Sequence, residues 1–169
     1  QGSFVTGNPT CTLVRADLVR SRKPFYNEVS PFEDVDVAFD LLQISDFGFV
    51  HQVLTYTRRE NESILTELKT FGAMPTTFVI AIRKYGPIFL TPAELAPRRR
   101  LLEHRYYLIL GEGIWRRRPR RFWQFHRLAL RWSGKDLQPT RVAFYAVLAL
   151  LSRALNPLEA LAAIARRLG

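Results

Sequence analysis

The densest chemistry in this chain is the run Trp115-Arg116-Arg117-Arg118-Pro119-Arg120-Arg121-Phe122-Trp123, which places five guanidinium groups within six positions and aromatic rings at both ends. Arginine is charged at every working pH and carries a planar fork of donors that fits phosphate and carboxylate oxygens. Five such groups on one turn repel one another unless a polyanion neutralises them, and indole rings at the edges offer faces on which bases can stack. Arg116, Arg117, Arg118, Arg120 and Arg121, with Trp115 and Trp123, are therefore the candidate contacts to a polyanion, either a nucleic acid (RNA or DNA) or an acidic protein surface. The same run has the form of a nuclear import signal. The plainer alternative is a solvated loop whose two indoles belong to the core. Arg98-Arg99-Arg100 would add to the footprint only if folded onto the same face.

A second set is Asp34-Val35-Asp36, followed by Asp40. On a strand, residues two apart share a face about 7 Å from each other, a spacing that suits Mg²⁺ in metal-dependent nucleic-acid processing. Glu112, within Gly111-Glu112-Gly113, is the candidate third carboxylate, so Asp34, Asp36 and Glu112 form the weak catalytic alternative, with Mg²⁺ as cofactor under that reading alone. On a helix the same carboxylates would only be a wet face. Other chemistries lack their signatures. Cys11 is the only cysteine, His51, His104 and His126 have no ligand spacing, and no glycine-rich phosphate loop or nucleophile elbow occurs. Neither a cofactor nor a resident metal is expected, and the chain reads as noncatalytic.

The third set lies near the C-terminus. Residues 139–155 are apolar nearly all round, and Asn156-Pro157 should turn them into a last helix over 157–168 with Leu158, Leu161, Ala162, Ala165 and Leu168 on one face. This helical hairpin presents Phe144, Tyr145, Leu148 and Leu161 as candidate partner contacts, for packing into a homo-oligomer or a larger assembly. Leu148 is expected in the core. The chain ends at Gly169, where the stop residue of that helix should fall, so the natural protein is expected to continue.

The elements that would carry these sets are punctuated by Ser30-Pro31-Phe32-Glu33, Thr91-Pro92-Ala93-Glu94 and Asn156-Pro157-Leu158-Glu159, each a capping side chain, a proline at the first helical position and a reaching glutamate. Pro97 should limit the second to about one turn. Asn61 caps a further helix that Gly72 stops, and Phe47, Val50 and Leu54 fit a short one. Residues 34–41 are ambiguous, alternating like a strand behind a helix cap. The middle reads as β: 76–83, 88–90, 105–115 and 122–132 are rich in Phe, Tyr, Trp, Val and Ile, with the arginine run as a hairpin turn, and 11–19 adds an N-terminal strand. The predicted fold is α+β, an antiparallel sheet of about four to six strands with helices on one face and a C-terminal helical hairpin.

Length and charge set the frame. A chain of 169 residues fits one domain, with Gln1-Gly2-Ser3 read as an expression-tag remnant and residues 4–169 as a single α+β domain. The net charge of +10 comes from 25 basic and 15 acidic residues, and it is segregated. From Pro24 to Thr57 there are six carboxylates and no Lys or Arg, whereas Arg98 to Arg131 holds eleven Arg against Glu103 and Glu112. The longest apolar run, 142–151, is too short to span a bilayer. One cysteine fits a reducing, intracellular compartment, with the nucleus open to a basic protein. The expected function is a binding and assembly module that contacts a polyanion through the arginine hairpin and packs through its C-terminal helices. The alternatives are the Asp-x-Asp enzyme and a structural oligomerisation domain, which composition alone would suit to a viral protein.

Overall fold

The computed structural model describes residues 11–27, 32–56 and 71–155. The chain divides into two compact units, Gln1–Glu67 and Leu68–Gly169. All regular structure among the described residues is helical, in seven helices with no strand.

The first unit holds α1 (Ala16–Ser21) and α2 (Glu33–Leu41). In α2 the acidic residues Glu33, Asp34 and Asp36 all fall in the first turn, where the helix dipole favours negative charge. That preference resolves the alternation of 34–41 in favour of a helix and overturns the strand reading. Asp36 and Val37 face inward, and Arg22 at the end of α1 pairs with Asp40 of α2 at 2.6 Å, each side chain about three-quarters buried. Residues 46–56 are not helical. Gly48, Val50 and Val53 weaken a helix there, and Phe47, Phe49, Val50, Leu54 and Tyr56 are exposed.

The second unit contains α3 (Ala73–Lys84), α4 (Gly86–Phe89), α5 (Pro92–Trp115), α6 (Arg120–Trp132) and α7 (Pro139–Leu155). The long α5 is its axis. It packs most extensively on α7 and next on α3, around a core of Val79, Tyr106, Tyr107, Leu110, Phe122, Leu130 and Val142. Gly111 is the closest point of the α5–α7 crossing: a Cβ there would lie 2.5 Å from both C and O of Tyr145. Only a residue without a side chain permits that approach, and Val142, Ala146 and Ala149 keep the α7 side of the crossing small.

Among the described residues the expected antiparallel sheet is therefore absent, which contradicts the α+β class. Each supposed strand is a helix or part of one: 76–83 lies in α3, 88–90 begins in α4, 105–115 ends α5, 122–132 is most of α6, and 11–19 enters α1. The aromatic and β-branched residues that favour strands are here packed into helices, because β propensity chiefly records packing on a half-buried surface and yields to tertiary contacts. Thr76 and Thr77 show how: their hydroxyls donate to the carbonyls of Gly72 and Ala73 at 2.8 and 2.9 Å, so polar β-formers are satisfied inside a helix.

Pro97 does not end its helix either. The Thr91 capping box forms as its sequence implies, and α5 continues for 24 residues through Pro97. The carbonyl of Ala93, which loses its N–H partner to Pro97, sits on an exposed first turn where water can serve it. Leu148, expected in the core, is only half-buried, since the inward face of α7 runs through Val142, Ala146 and Ala149. The caps at Ser30 and Asn61 and the last helix with Leu161 lie outside the described residues.

Candidate functional site

The arginine run is a helix-to-helix connection and not a β-hairpin turn. Arg116 to Pro119 join α5 to α6, and Arg120 and Arg121 are the first two helical residues of α6. Arg117 takes the left-handed conformation (φ 48°) that reverses the chain, and the Arg118 amide donates to the Gly113 carbonyl at 2.9 Å. Gly113 is needed at this corner because a Cβ would come within 2.9 Å of the Phe122 ring. Pro119 occupies the N-cap of α6 and brings no side-chain acceptor to the first amides, so the positive end of the helix dipole is uncapped from within.

Charge compensation is sparse here. Arg116 pairs with Glu112 at 2.8 Å, both half-exposed, and the Arg118 guanidinium lies over the Phe122 ring at 5.8 Å. Among the described residues, Arg117, Arg118, Arg120 and Arg121 form no ion pair. From Gly113 to Lys135 the chain has seven Arg, one Lys and no carboxylate. α6 turns Phe122, His126, Ala129 and Leu130 into the core and leaves Arg120, Arg121, Gln124, Arg127, Leu128 and Arg131 exposed. Among the described residues, Arg131 alone of these charges has a carboxylate nearby, Asp136 at 3.4 Å. Trp115 spends its indole N–H on the Ala146 carbonyl at 2.7 Å and keeps about half its surface exposed, whereas Trp123 packs edge-on against Phe122 at the rim of the core.

The carboxylate set does not assemble as a strand would have assembled it. Asp34 and Asp36 lie on α2, where residues two apart diverge by about 200° around the axis. Asp34 accepts a hydrogen bond from the Val35 amide, and Asp36 is buried. Glu112 is on α5 in the other unit, paired with Arg116. Among the described residues no three His, Cys, Asp or Glu side chains gather in a group able to hold a metal. Of the partner candidates, Phe144 is 64% exposed, while Tyr145 stacks on Tyr107 at 5.6 Å and shares a hydrogen bond with His104 at 3.1 Å.

Two constellations escaped the sequence reading. Glu103, buried on α5, holds three arginines from three helices: Arg83 of α3 at 3.0 Å, Arg99 at 3.2 Å and Arg141 of α7 at 3.2 Å. Burial works to raise its pKa, but the Arg83 charge and the hydrogen bonds from Arg83, Arg99 and Arg141 outweigh it and hold the carboxyl below the ordinary range. Arg141 is further braced over the Tyr107 ring at 4.2 Å. The signal was a lone glutamate among arginines with Arg99 four residues before it, legible only once α5 is a helix. The other is His126, fully buried, with Nδ1 3.1 Å from the Tyr106 hydroxyl and 3.5 Å from that of Thr76, and Nε2 without a partner at hydrogen-bonding geometry. Burial pushes its pKa down to about 4, against a smaller opposing pull from the Phe71 backbone, so the ring is neutral near pH 7. Comparison of the chain with protein-family models, with curated proteins and with solved structures finds no match in any of the three.

Proposed function

We propose that the chain is a noncatalytic binding module whose second unit contacts a polyanion through the α5–α6 connection and the start of α6. The observation that carries this reading is the group Arg117, Arg118, Arg120 and Arg121, four guanidinium groups that form no ion pair among the described residues, at a helix start with no side-chain cap. Like charges held this close lower their mutual repulsion by recruiting an anion, and each phosphate contact releases condensed counterions. The reading is tested by replacing Arg117, Arg118 and Arg120 with Ala and eluting the protein from immobilised heparin with salt. The variant should keep its helical signal, since exposed charges usually contribute less than about 0.5 kcal/mol each to stability. It should leave the resin at clearly lower salt than the parent. Unchanged elution would remove this segment from the contact.

A second reading, packing through α7, draws on a specific observation: Phe144, Val147, Leu151 and Leu155 are all more than half exposed along that helix. Contiguous exposed apolar surface of this kind marks an interaction face. Sedimentation of the intact protein should show mass rising with concentration, and Phe144→Asp should abolish the rise. A monomer at every concentration would exclude self-association.

A further inference from the structure

The polyanion reading leaves open which polyanion and which surface meets it. The exposed residues of α6 narrow both. Arg120, Gln124, Arg127 and Arg131 recur at i, i+4, i+7 and i+11, which aligns them as one stripe along the helix. At 1.5 Å per residue the stripe is about 16 Å long, roughly five base-pair steps of a duplex. Every charge on it is a guanidinium. Leu128, 58% exposed, lies beside the stripe as its only large apolar member.

We propose that the outer face of α6 is a groove-reading surface for B-form duplex DNA, an inference that rests on the polyanion reading and assigns its ligand. A helix with its side chains is about 10–12 Å across and the B-form major groove is about 12 Å wide, so an exposed helix of this kind fits it. Arg presents two parallel donors to guanine O6 and N7, Gln124 can bond adenine N6 and N7, and an apolar side chain such as Leu128 can meet a thymine methyl. Arg117, Arg118 and Arg121, at the helix start and off the stripe, are then placed for flanking phosphates. An anionic membrane is a poorer match. The apolar face of α6, through Phe122, Ala129 and Leu130, is committed to the core and cannot enter lipid. A-form RNA is also disfavoured, because its major groove is too narrow for a helix.

The experiment is fluorescence anisotropy with the intact protein on a labelled DNA duplex, the matching single strand and the matching RNA duplex, each over a range of salt. Three proteins are compared: the parent, a stripe variant (Arg127→Ala with Arg131→Ala) and a connection variant (Arg117→Ala with Arg118→Ala). The parent should prefer the DNA duplex by at least about fivefold, the least that one good base-edge contact supplies. The stripe variant should lose that preference and flatten the logarithmic salt slope by no more than about 2. Arg127→Lys with Arg131→Lys should restore the slope, because charge returns, but not the preference, because the planar fork does not. The connection variant should lower affinity on all three ligands and keep the preference. Equal binding of the three ligands, or a stripe variant that behaves like the parent while the connection variant weakens, overturns the assignment to duplex DNA and leaves the polyanion reading standing. Competition by polyglutamate or by phosphatidylserine vesicles at the same charge concentration as the duplex overturns it in favour of those partners. Failure of all three nucleic acids together with heparin overturns both.

Discussion

At the scale of single residues, the second unit is held by two polar groups that were invisible in the pattern of charges. Glu103 is the common counter-ion of Arg83, Arg99 and Arg141, and Arg83 is itself nine-tenths buried with Nη1 unpartnered. Removing the carboxylate leaves guanidinium charge without compensation, so Glu103→Ala should cost about 3–5 kcal/mol in urea denaturation. The double replacement Arg83→Met with Glu103→Leu should cost much less, because it removes the one deeply buried guanidinium together with its carboxylate, while Arg99 and Arg141 are exposed enough for water to solvate them. His126 sets the acid limit of stability. Its pKa falls from the ordinary 6.5 in the unfolded chain to about 4 in the folded one. Its contribution is therefore full above pH 6.5, is lost as the pH drops from 6.5 through 4, and amounts to about 3 kcal/mol at 1.36 kcal/mol per pH unit. Unfolding midpoints measured across that window should fall for the parent, and His126→Gln should flatten the fall. Glu103, with its pKa held low, adds a further loss only below its ordinary range, so the two limbs separate in pH.

At the scale of elements, the second unit depends on how closely α5 and α7 approach. Gly→Ala in the interior of a helix is ordinarily stabilising by about 1 kcal/mol. At Gly111 the sign should invert, because the new methyl would meet the Tyr145 backbone at 2.5 Å and helix backbones cannot yield as a side-chain end can. A loss of about 1–3 kcal/mol in thermal or urea unfolding is expected for Gly111→Ala. A gain would mean the crossing is looser than described. The same crossing explains what the sequence did and did not reveal. The Thr91 capping box and the apolar span of α7 were legible because their signals are local. Segments 76–83, 105–115 and 122–132 resemble strands by composition, since each carries four or five of Phe, Tyr, Trp, Val and Ile, yet all are helical. Period was the better guide: Glu103, Tyr106, Tyr107 and Leu110, and likewise Phe122, His126, Ala129 and Leu130, recur every three to four residues and all are buried. Gly111 and Gly113, which in the sequence only flank Glu112, are the contact points that let a long helix pack closely at its end. Of the candidate site, the unpaired arginines were legible from composition, whereas their setting at a helix start was not.

At the scale of the whole molecule, the net charge of +10 conceals two opposed halves. Counted along the sequence, Gln1–Glu67 carries 6 basic and 10 acidic residues and Leu68–Gly169 carries 19 basic and 5 acidic, so the units bear −4 and +14. A field of that size steers polyanions toward the second unit and concentrates them there. The central claim is that this charge is used through defined arginines rather than as a diffuse attraction. It is tested most directly by the salt dependence of duplex DNA binding in the intact protein. With Arg117, Arg118, Arg120, Arg121, Arg127 and Arg131 each meeting a phosphate or base, log K should fall against log salt with a slope of about −4 to −5. Replacing Arg117, Arg118, Arg120 and Arg121 with Ala should flatten that slope by about 3 to 4, to no steeper than about −2. A parent slope near zero, or a steep slope that survives the four replacements unchanged, would contradict the account.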